Sequence, residues 1–265
     1  MNEAELLFTQ VLNCKRPSLY FDKGLKLSKK QSEFIASSLK RRIAGEPIQY
    51  ILGNTEFMGF DFKVSLDCLI PRPETEILVE TAIKYLNSLP PANFRALEIG
   101  TGSGCIAVSL AGLLENITIT ATDISQEALG MARSNALLNK VSDRIAFLNS
   151  DLFSSLPICD KPYALCISNP PYIPSKEIAR LQPEIQYEPR LALDGGKDGL
   201  NFYRRIIADS PDYLENDGFL LMEMGFGQCK KIKEIFKNCK KFEIIEIVKD
   251  YSNIERIIVA KIKSK

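Results

Sequence analysis

The sequence predicts an α/β protein with a seven-stranded sheet, a small N-terminal helical domain and a β-hairpin that joins the two. From about residue 95 onwards, short apolar runs alternate with segments of helical spacing, which is typical of parallel strands joined by helical crossovers. The last two runs, FEIIEIV and RIIVAKI, are separated only by KDYSNIE, which is too short for a helical crossover. We therefore expect six strands in a parallel arrangement and an antiparallel seventh strand.

Residues 1–53 are predicted to form the helical domain. Ser28 and Gln31 have the spacing of a capping box ahead of a helical pattern, and Gly45 and Pro47 would end that helix. A segment of this size buries little core alone, so we expect it to lean on the main domain or on a partner.

Residues 54–70 are predicted to form the hairpin, because TEFMGFDFKVSL alternates apolar and polar residues around Gly59. The main domain, residues 71–265, then begins with a helix. Pro73 suits the first turn of that helix, and the acidic residues that follow it are favoured by the helix dipole. This interpretation leaves Arg72 without a role.

A glycine-rich turn follows the first strand, ALEI, and precedes a helix predicted over 106–114. Gly100, Gly102 and Gly104 lie in this turn, where glycine permits positive φ and a close approach of ligand to backbone. A dinucleotide site would place its third glycine three residues after the second, and here the interval is two. The next strand ends in Asp123, whose carboxylate could accept both hydroxyls of a ribose. The alternative is a plain turn followed by an ordinary capping Asp.

Ser125 is predicted to cap the next helix, and IAFLNSD to form a third strand that ends at Asp151. Further along the chain we expect a helix over about 200–214 and a turn at Asp217-Gly218. The fifth strand, FLLMEM, follows that turn, and a lysine-rich helix then spans 228–236.

The fourth strand, YALCIS, runs into Asn169-Pro170-Pro171-Tyr172 at the point where strand order reverses, which is where open α/β sheets bind ligands. The prolines fix the backbone and leave the Asn169 side-chain oxygen and the Pro170 carbonyl as acceptors, beside the flat face of Tyr172. Such a site suits a planar NH₂ group whose lone pair is turned toward an electrophile. The alternative is a rigid turn with a packing tyrosine.

Composition excludes several classes of function. The 265 residues include no histidine, which removes Ser-His-Asp catalysis and the usual zinc ligands, and the seven cysteines form no C-x-x-C pair. We therefore expect no metal. The net charge of +1 argues against a stable nucleic-acid partner. No apolar run or signal-like start predicts a membrane span or export, so we expect a cytoplasmic protein.

Several blocks of the sequence resemble the release factor glutamine methyltransferases, the HemK or PrmC family. They occur in family order: RRIAGEPIQYILG, EFMGFDFKV, IPRPETE, LEIGTGSG, SDLF, NPPYIP and DGGKDGL. The resemblance implies a seven-stranded Rossmann-like class I methyltransferase sheet. It also implies transfer of a methyl group from S-adenosyl-L-methionine to the side-chain amide nitrogen of the glutamine in the Gly-Gly-Gln motif of class 1 peptide chain release factors.

The resemblance also implies roles for individual residues. Asn169, Pro170 and Tyr172 would be catalytic, and with Pro171 they would hold the glutamine. Two positions depart from the family pattern: Leu152 stands where some members have Trp, which makes Phe153 a candidate for packing on adenine, and Asn253 stands where Gly is usual, although Asn tolerates left-handed geometry. The implied cofactor-binding residues are Glu98, Gly100, Thr101, Gly102, Ser103, Gly104, Asp123, Asp151, Leu152 and Asn169.

Two other functions compete with this interpretation. An amino-methyltransferase acting on adenine or guanine in nucleic acid would need the same Asn and Tyr, but also a basic groove for a flipped base. A cofactor-binding adaptor without activity would predict a damaged loop or N-P-P-Y motif, and both are intact. In the preferred interpretation, residues 1–53 recognise the substrate protein. The alternative is that they only cover apolar surface of the main domain.

Overall fold

In a computed structural model, which describes residues 2–22, 24–90, 92–158 and 162–263, the first 53 residues form four helices. Both longer helices begin at a capping box, Asn2 with Glu5 and the expected Ser28 with Gln31. A small apolar cluster that includes Leu7 holds α1, α3 and α4 together, and the Tyr20 hydroxyl of α2 donates a hydrogen bond to Glu5 of α1. The helices are α1 (Glu3–Leu12), α2 (Ser18–Phe21), α3 (Lys29–Ile43) and α4 (Ile48–Leu52).

The predicted hairpin is present and is fixed to the main domain. Its strands, β1 (Asn54–Phe57) and β2 (Phe60–Lys63), pair antiparallel around a turn in which Gly59 has φ 76°. Phe57 and Phe62 are buried in the core of the main domain, with ring centroids 6.0 Å apart. The Asn135 side chain accepts the Lys63 N–H at 2.8 Å and donates to the Lys63 carbonyl at 2.9 Å. The hairpin is therefore part of the main-domain packing.

The main sheet has seven strands in the order β5-β4-β3-β6-β7-β9-β8. Neighbouring strands are parallel except at β9, which is antiparallel to both β7 and β8. This confirms the predicted sheet. Because strand order reverses between β3 and β6, a crevice opens at their carboxyl ends. The strands are β3 (Phe94–Ile99), β4 (Ile117–Asp123), β5 (Ile145–Asn149), β6 (Tyr163–Ser168), β7 (Leu214–Glu223), β8 (Phe242–Lys249) and β9 (Glu255–Ile262).

Helices cover both faces of this sheet. Apolar side chains of α5, α6 and α7 form one core cluster with the face that carries Ala96, and those of α9 and α10 form a second cluster with the face that carries Leu97. Strands buried on both faces explain the continuous apolar runs. The helices are α5 (Pro73–Leu86), α6 (Cys105–Leu113), α7 (Gln126–Leu138), α8 (Arg190–Leu193), α9 (Asn201–Asp209) and α10 (Cys229–Cys239).

Some predicted boundaries were wrong. The turn expected at Asp217-Gly218 lies inside β7, where Asp217 has φ 65° and the pairing with β6 shifts register. The third strand ends at Asn149, so Asp151 follows the strand rather than ending it. Four of the six described cysteines are buried, and Cys159 lies outside the described residues. Within the part of the chain that the structure describes, no helix combines the length and apolar character that a membrane crossing requires.

Candidate active site

The glycine turn after β3 presents bare backbone to a cavity. Gly100, Gly102 and Gly104 have φ values of 75°, 55° and 81°, which favour glycine. A Cβ built at Gly100 or Gly102 would meet no atom within 4 Å, whereas one at Gly104 would lie 3.0 Å from the Cβ of Ala132. The first two glycines therefore leave room for a ligand, and the third lets α6 and α7 approach each other.

Asp123 is held at the end of β4 by the backbone on both sides. Its Oδ2 accepts the Gly102 N–H at 2.8 Å and its Oδ1 accepts the Ser125 N–H at 2.9 Å. Burial raises the pKa of the carboxyl, while these backbone hydrogen bonds lower it. Each oxygen keeps capacity to accept another hydrogen bond, so the group can take hydroxyl donors from a ligand.

These groups line a cavity of about 430 Å³ at the carboxyl edge of the sheet. Residues 66–69, which follow the hairpin, form one wall of the cavity. Phe202 and Ile206 of α9 form part of another wall. Ile124, which sequence reasoning missed, is an exposed apolar residue directly after Asp123. Predicted cofactor residues in the wall are Gly100, Thr101, Gly102, Ser103, Asp123, Asp151, Leu152 and Asn169.

Two predicted cofactor residues, Glu98 and Gly104, lie behind the cavity rather than in its wall. Glu98 is fully buried, and its Oε2 accepts a hydrogen bond from the Thr101 hydroxyl at 2.8 Å. Burial raises the pKa of Glu98 to about 8, so the carboxyl holds its proton at neutral pH. Glu98 thus supports the glycine turn through Thr101, and its contact with the cofactor stays a prediction.

Leu152 and Phe153 have different surroundings. Leu152 lines the cavity and adopts φ 53°, which turns the chain at this position. Phe153 is turned into the core, where its ring stacks on Tyr213 with centroids 4.9 Å apart. Phe153 therefore faces the core, and the residue that packs on adenine stays a prediction. Asp151 lies beside Leu152, and its Oδ2 pairs with Arg205 at 2.9 Å.

The Asn169 side chain is oriented by two residues that sequence reasoning missed. Its Nδ2 donates to the Thr75 hydroxyl at 3.1 Å, and the Thr75 hydroxyl donates to Oε2 of Glu223 at 2.7 Å. Within the part of the chain that the structure describes, no donor is bonded to the Asn169 oxygen, which can therefore accept a hydrogen bond from a ligand. The signal for Glu223 was its place at the end of β7, since a strand parallel to β6 brings its carboxyl end beside Asn169.

A second cavity, of about 400 Å³, lies on the other side of the N-P-P-Y motif. Within the motif, Asn169 and Pro170 line both cavities, while Tyr172 lines only the second and Pro171 only the first; outside the motif, Leu69, Arg72 and Ala192 also line both. The helical domain contributes part of the second wall, and α5 and the chain around 182–188 contribute another part. The two cavities therefore meet at the acceptors that the sequence predicted.

Contacts across the second cavity join the helical domain to the main domain. Arg42 of α3 pairs with Glu184 at 3.0 Å, and the Tyr187 hydroxyl donates to the Ala44 carbonyl at 3.1 Å. Among the described residues, no group of His, Cys, Asp and Glu has the arrangement of a metal site.

Comparisons with known proteins agree with this architecture. A family model described as the PrmC N-terminal domain matches residues 1–53, and one described as the methyltransferase small domain matches residues 75–185. A methyltransferase structure from Pyrococcus furiosus superimposes with a TM-score of 0.56 at 18% identity, over 88% of this chain and 98% of that one. At that identity the likeness shows the fold alone.

Curated relatives are much more similar in sequence. The chain is 39% identical over 266 residues to the release factor glutamine methyltransferase of Thermodesulfovibrio yellowstonii, which covers 100% of this chain and 93% of the relative. It is 38% identical over 264 residues to that of Geobacter sulfurreducens, over 98% of this chain and 89% of the relative. The chain therefore belongs to the release factor glutamine methyltransferase family.

Proposed function

We propose that this chain transfers a methyl group from S-adenosyl-L-methionine to the side-chain amide nitrogen of the glutamine in the Gly-Gly-Gln motif of class 1 peptide chain release factors. The observation that carries the proposal is that Asn169 and Pro170 line both cavities. A methyl donor in the first cavity and a glutamine in the second would meet at these two residues. Membership of the family supports the same reaction and the same class of substrate.

The first cavity suits S-adenosylmethionine in its chemistry. The open space beside Gly100 and Gly102 leaves room for the methionine part of the cofactor. The Asp123 carboxylate has capacity for two ribose hydroxyls, and Ile124 and Leu152 offer apolar surface to adenine. When bound, S-adenosylmethionine supplies an electrophilic methyl group.

The protein's own part in the reaction is to orient the glutamine amide. The Asn169 oxygen would accept one amide N–H and the Pro170 carbonyl the other, because the Asn169 NH₂ group is already bonded to Thr75. The Tyr172 ring would lie against the flat amide, so that the nitrogen lone pair faces the first cavity. Orientation can replace a general base. The N–C bond would form as the methyl–sulfur bond of the donor breaks, with the electron pair left on the departing thioether sulfur, and one amide proton would then leave to water.

We also propose that residues 1–53 select the release factor. A pocket that grips one planar amide cannot distinguish one glutamine from another, so specificity needs contacts far from the reacting nitrogen. Arg42 and Gln49 of the helical domain line the second cavity. Beyond the cavity, Leu39 and Ile43 lie one turn apart on α3 and are 51% and 86% exposed. The reaction would take place in the cytoplasm, which stays a prediction.

The test is methylation by the purified chain with isotope-labelled S-adenosylmethionine. We expect label on the glutamine of the Gly-Gly-Gln peptide of an intact release factor, located by mass spectrometry, and none on a release factor whose glutamine is replaced by alanine. Parallel reactions with duplex DNA and single-stranded RNA test the amino-methyltransferase alternative. Label on adenine or guanine but not on the release factor would refute the proposed function.

A further inference from the structure

Glu223 is a buried carboxylate beside the N-P-P-Y motif. Glu223 is only 2% exposed, although it is the last residue of β7, at the carboxyl ends of the strands where the site lies. It accepts the Thr75 hydroxyl proton at 2.7 Å, and the Thr75 oxygen accepts the Asn169 NH₂ group at 3.1 Å. Burying a carboxylate is costly, and among the described residues Glu223 is bonded to the neutral Thr75 hydroxyl rather than to a cation.

The protons available to Glu223, Thr75 and Asn169 determine which group donates in each of the two hydrogen bonds that join them. An ionised carboxylate can only accept, and a threonine hydroxyl carries one proton, so the Thr75 proton points to Glu223. The Thr75 oxygen can then only accept, and Asn169 must turn its NH₂ group toward it. The Asn169 oxygen is left facing the place where the cavities meet.

We propose that Glu223 is a positioning residue for methyl transfer, which acts through Thr75 to keep the Asn169 oxygen turned toward the substrate glutamine. The inference rests on the function proposed above, and it adds two residues to the machinery of that site. A reversed Asn169 would present N–H to the N–H of the glutamine, which would lose one of its two acceptors. Glu223 needs no contact with the reacting nitrogen in this role.

The charge state of Glu223 determines the direction of the hydrogen bonds that link it to Thr75 and Asn169. Burial raises the pKa of Glu223 to about 7, against the hydrogen bond from Thr75 and the positive charge of Arg256, while Glu74 raises it further. The Asn169 amide also lowers it. At pH 8 the carboxylate is ionised. The hydrogen bonds then run from Asn169 through Thr75 to Glu223 and leave the Asn169 oxygen as an acceptor for the substrate.

Among the described residues, three further titratable groups interact with Glu223, and each of them is neutral near neutral pH. Burial raises the pKa of the hydroxyl groups of Tyr172 and Tyr203 and of the Cys105 thiol, which keeps all three protonated. Below pH 7, Glu223 gains a proton that it can donate to Thr75. The Thr75 proton can then go to the Asn169 oxygen, which reverses the amide and removes the acceptor.

The first experiment compares Thr75→Val with Thr75→Ser in the full-length protein. Val keeps the shape of Thr but removes the hydroxyl, whereas Ser keeps the hydroxyl. On an intact release factor at pH 8 we expect kcat to fall by roughly 10-fold or more in Thr75→Val and to stay within about 3-fold of wild type in Thr75→Ser. Both variants should give the wild-type circular dichroism spectrum, which shows that they are folded.

The second experiment is the pH dependence of kcat. The kcat of wild type should rise as the pH increases through about 7. This rise in kcat, the pH step, should be absent in both Glu223→Gln and Thr75→Val. A general base at Glu223 would instead leave the step in Thr75→Val, because that variant keeps the carboxylate. A step that survives in Thr75→Val therefore overturns the positioning role.

The outcomes separate the two proposals. If wild type methylates the release factor and Thr75→Val matches it in kcat at every pH, the positioning role of Glu223 through Thr75 is wrong and the proposed function stands. If Thr75→Ser fails as severely as Thr75→Val, the hydroxyl is not the feature that matters, and the inference is again overturned. If wild type places no methyl group on glutamine, the proposed function is wrong and the inference falls with it.

Discussion

Arg72 and Glu188 form an ion pair in the wall of the second cavity, with 2.5 Å between Nη2 and Oε1. The two side chains differ in burial: that of Arg72 is 35% exposed and that of Glu188 only 1%. Burial raises the pKa of Glu188, and the positive charge of Arg72 opposes this shift. Arg72, to which the sequence analysis assigned no role, thus neutralises a carboxylate that is buried beside the second cavity.

The asymmetry of this pair predicts unequal costs for its two partners. Arg72→Ala leaves a buried carboxylate unpaired and should lower the free energy of unfolding at pH 8 by about 2 kcal/mol, after allowance for the solvent exposure of Arg72. Glu188→Gln leaves only a partly exposed guanidinium and should cost about 1 kcal/mol or less. Urea denaturation measures both. Equal losses would show that Glu188 does not depend on Arg72 for its charge.

Asp123→Ala should weaken binding of S-adenosylmethionine by roughly 10-fold or more, since two ribose hydroxyls would lose a charged acceptor worth about 1.5–3 kcal/mol. Isothermal calorimetry measures the affinity. Asp143→Ala is the control, because Asp143 lies before β5 at the opposite edge of the sheet. An unchanged affinity in Asp123→Ala, or binding of NAD in its place, would contradict the cofactor assignment.

Asn169→Ala should lower kcat on the release factor by roughly 100-fold, by analogy with the loss of one preorganised polar contact in a closed site. The affinity for S-adenosylmethionine should change much less, because the Asn169 oxygen serves the glutamine. Steady-state methylation assays and calorimetry give the two quantities. Parallel losses in both would place Asn169 in cofactor binding alone.

A double substitution on α3, Leu39→Ser with Ile43→Ser, tests recognition by the helical domain. Both side chains are exposed, so stability should stay within about 0.5 kcal/mol. We expect kcat/KM on an intact release factor to fall by about 10-fold, while methylation of a short Gly-Gly-Gln peptide is unchanged. Leu113→Ser, at an exposed apolar position of the main domain, is the matched control. Equal losses on protein and peptide would argue against a recognition role for this face.

Glu223→Gln should stabilise the fold while it lowers activity. The pKa of Glu223 is raised from its ordinary 4.5 to about 7, so folding favours the protonated carboxyl. Its contribution to stability is full below pH 4.5 and is lost as the pH rises through about 7. Replacing it by neutral Gln should therefore raise the free energy of unfolding by up to about 3 kcal/mol at pH 8, with a smaller gain at pH 5. A gain that does not change with pH would contradict this account.

Local signals in the sequence were sufficient for the order of strands and helices and for the two loops of the site. Periodicity identified the buried strands, and the short KDYSNIE connection required β9 to run antiparallel, as it does. The sequence also predicted a helix cap and a turn conformation. Ser28 caps α3, and Asn253 adopts the expected left-handed backbone with φ 63°. Such features depend on neighbours within a few residues, so the sequence by itself determined them.

Only the tertiary structure decided which distant side chains meet. Thr75 and Glu223 are 148 residues apart, and Asn169 lies 94 residues from Thr75, yet the order of β6 and β7 brings all three into one hydrogen-bonded chain. The burial of Glu98 and the inward turn of Phe153 likewise follow from packing between layers. Periodicity and turn chemistry do not predict such contacts. The geometry of these contacts depends on how elements far apart in the chain pack against each other.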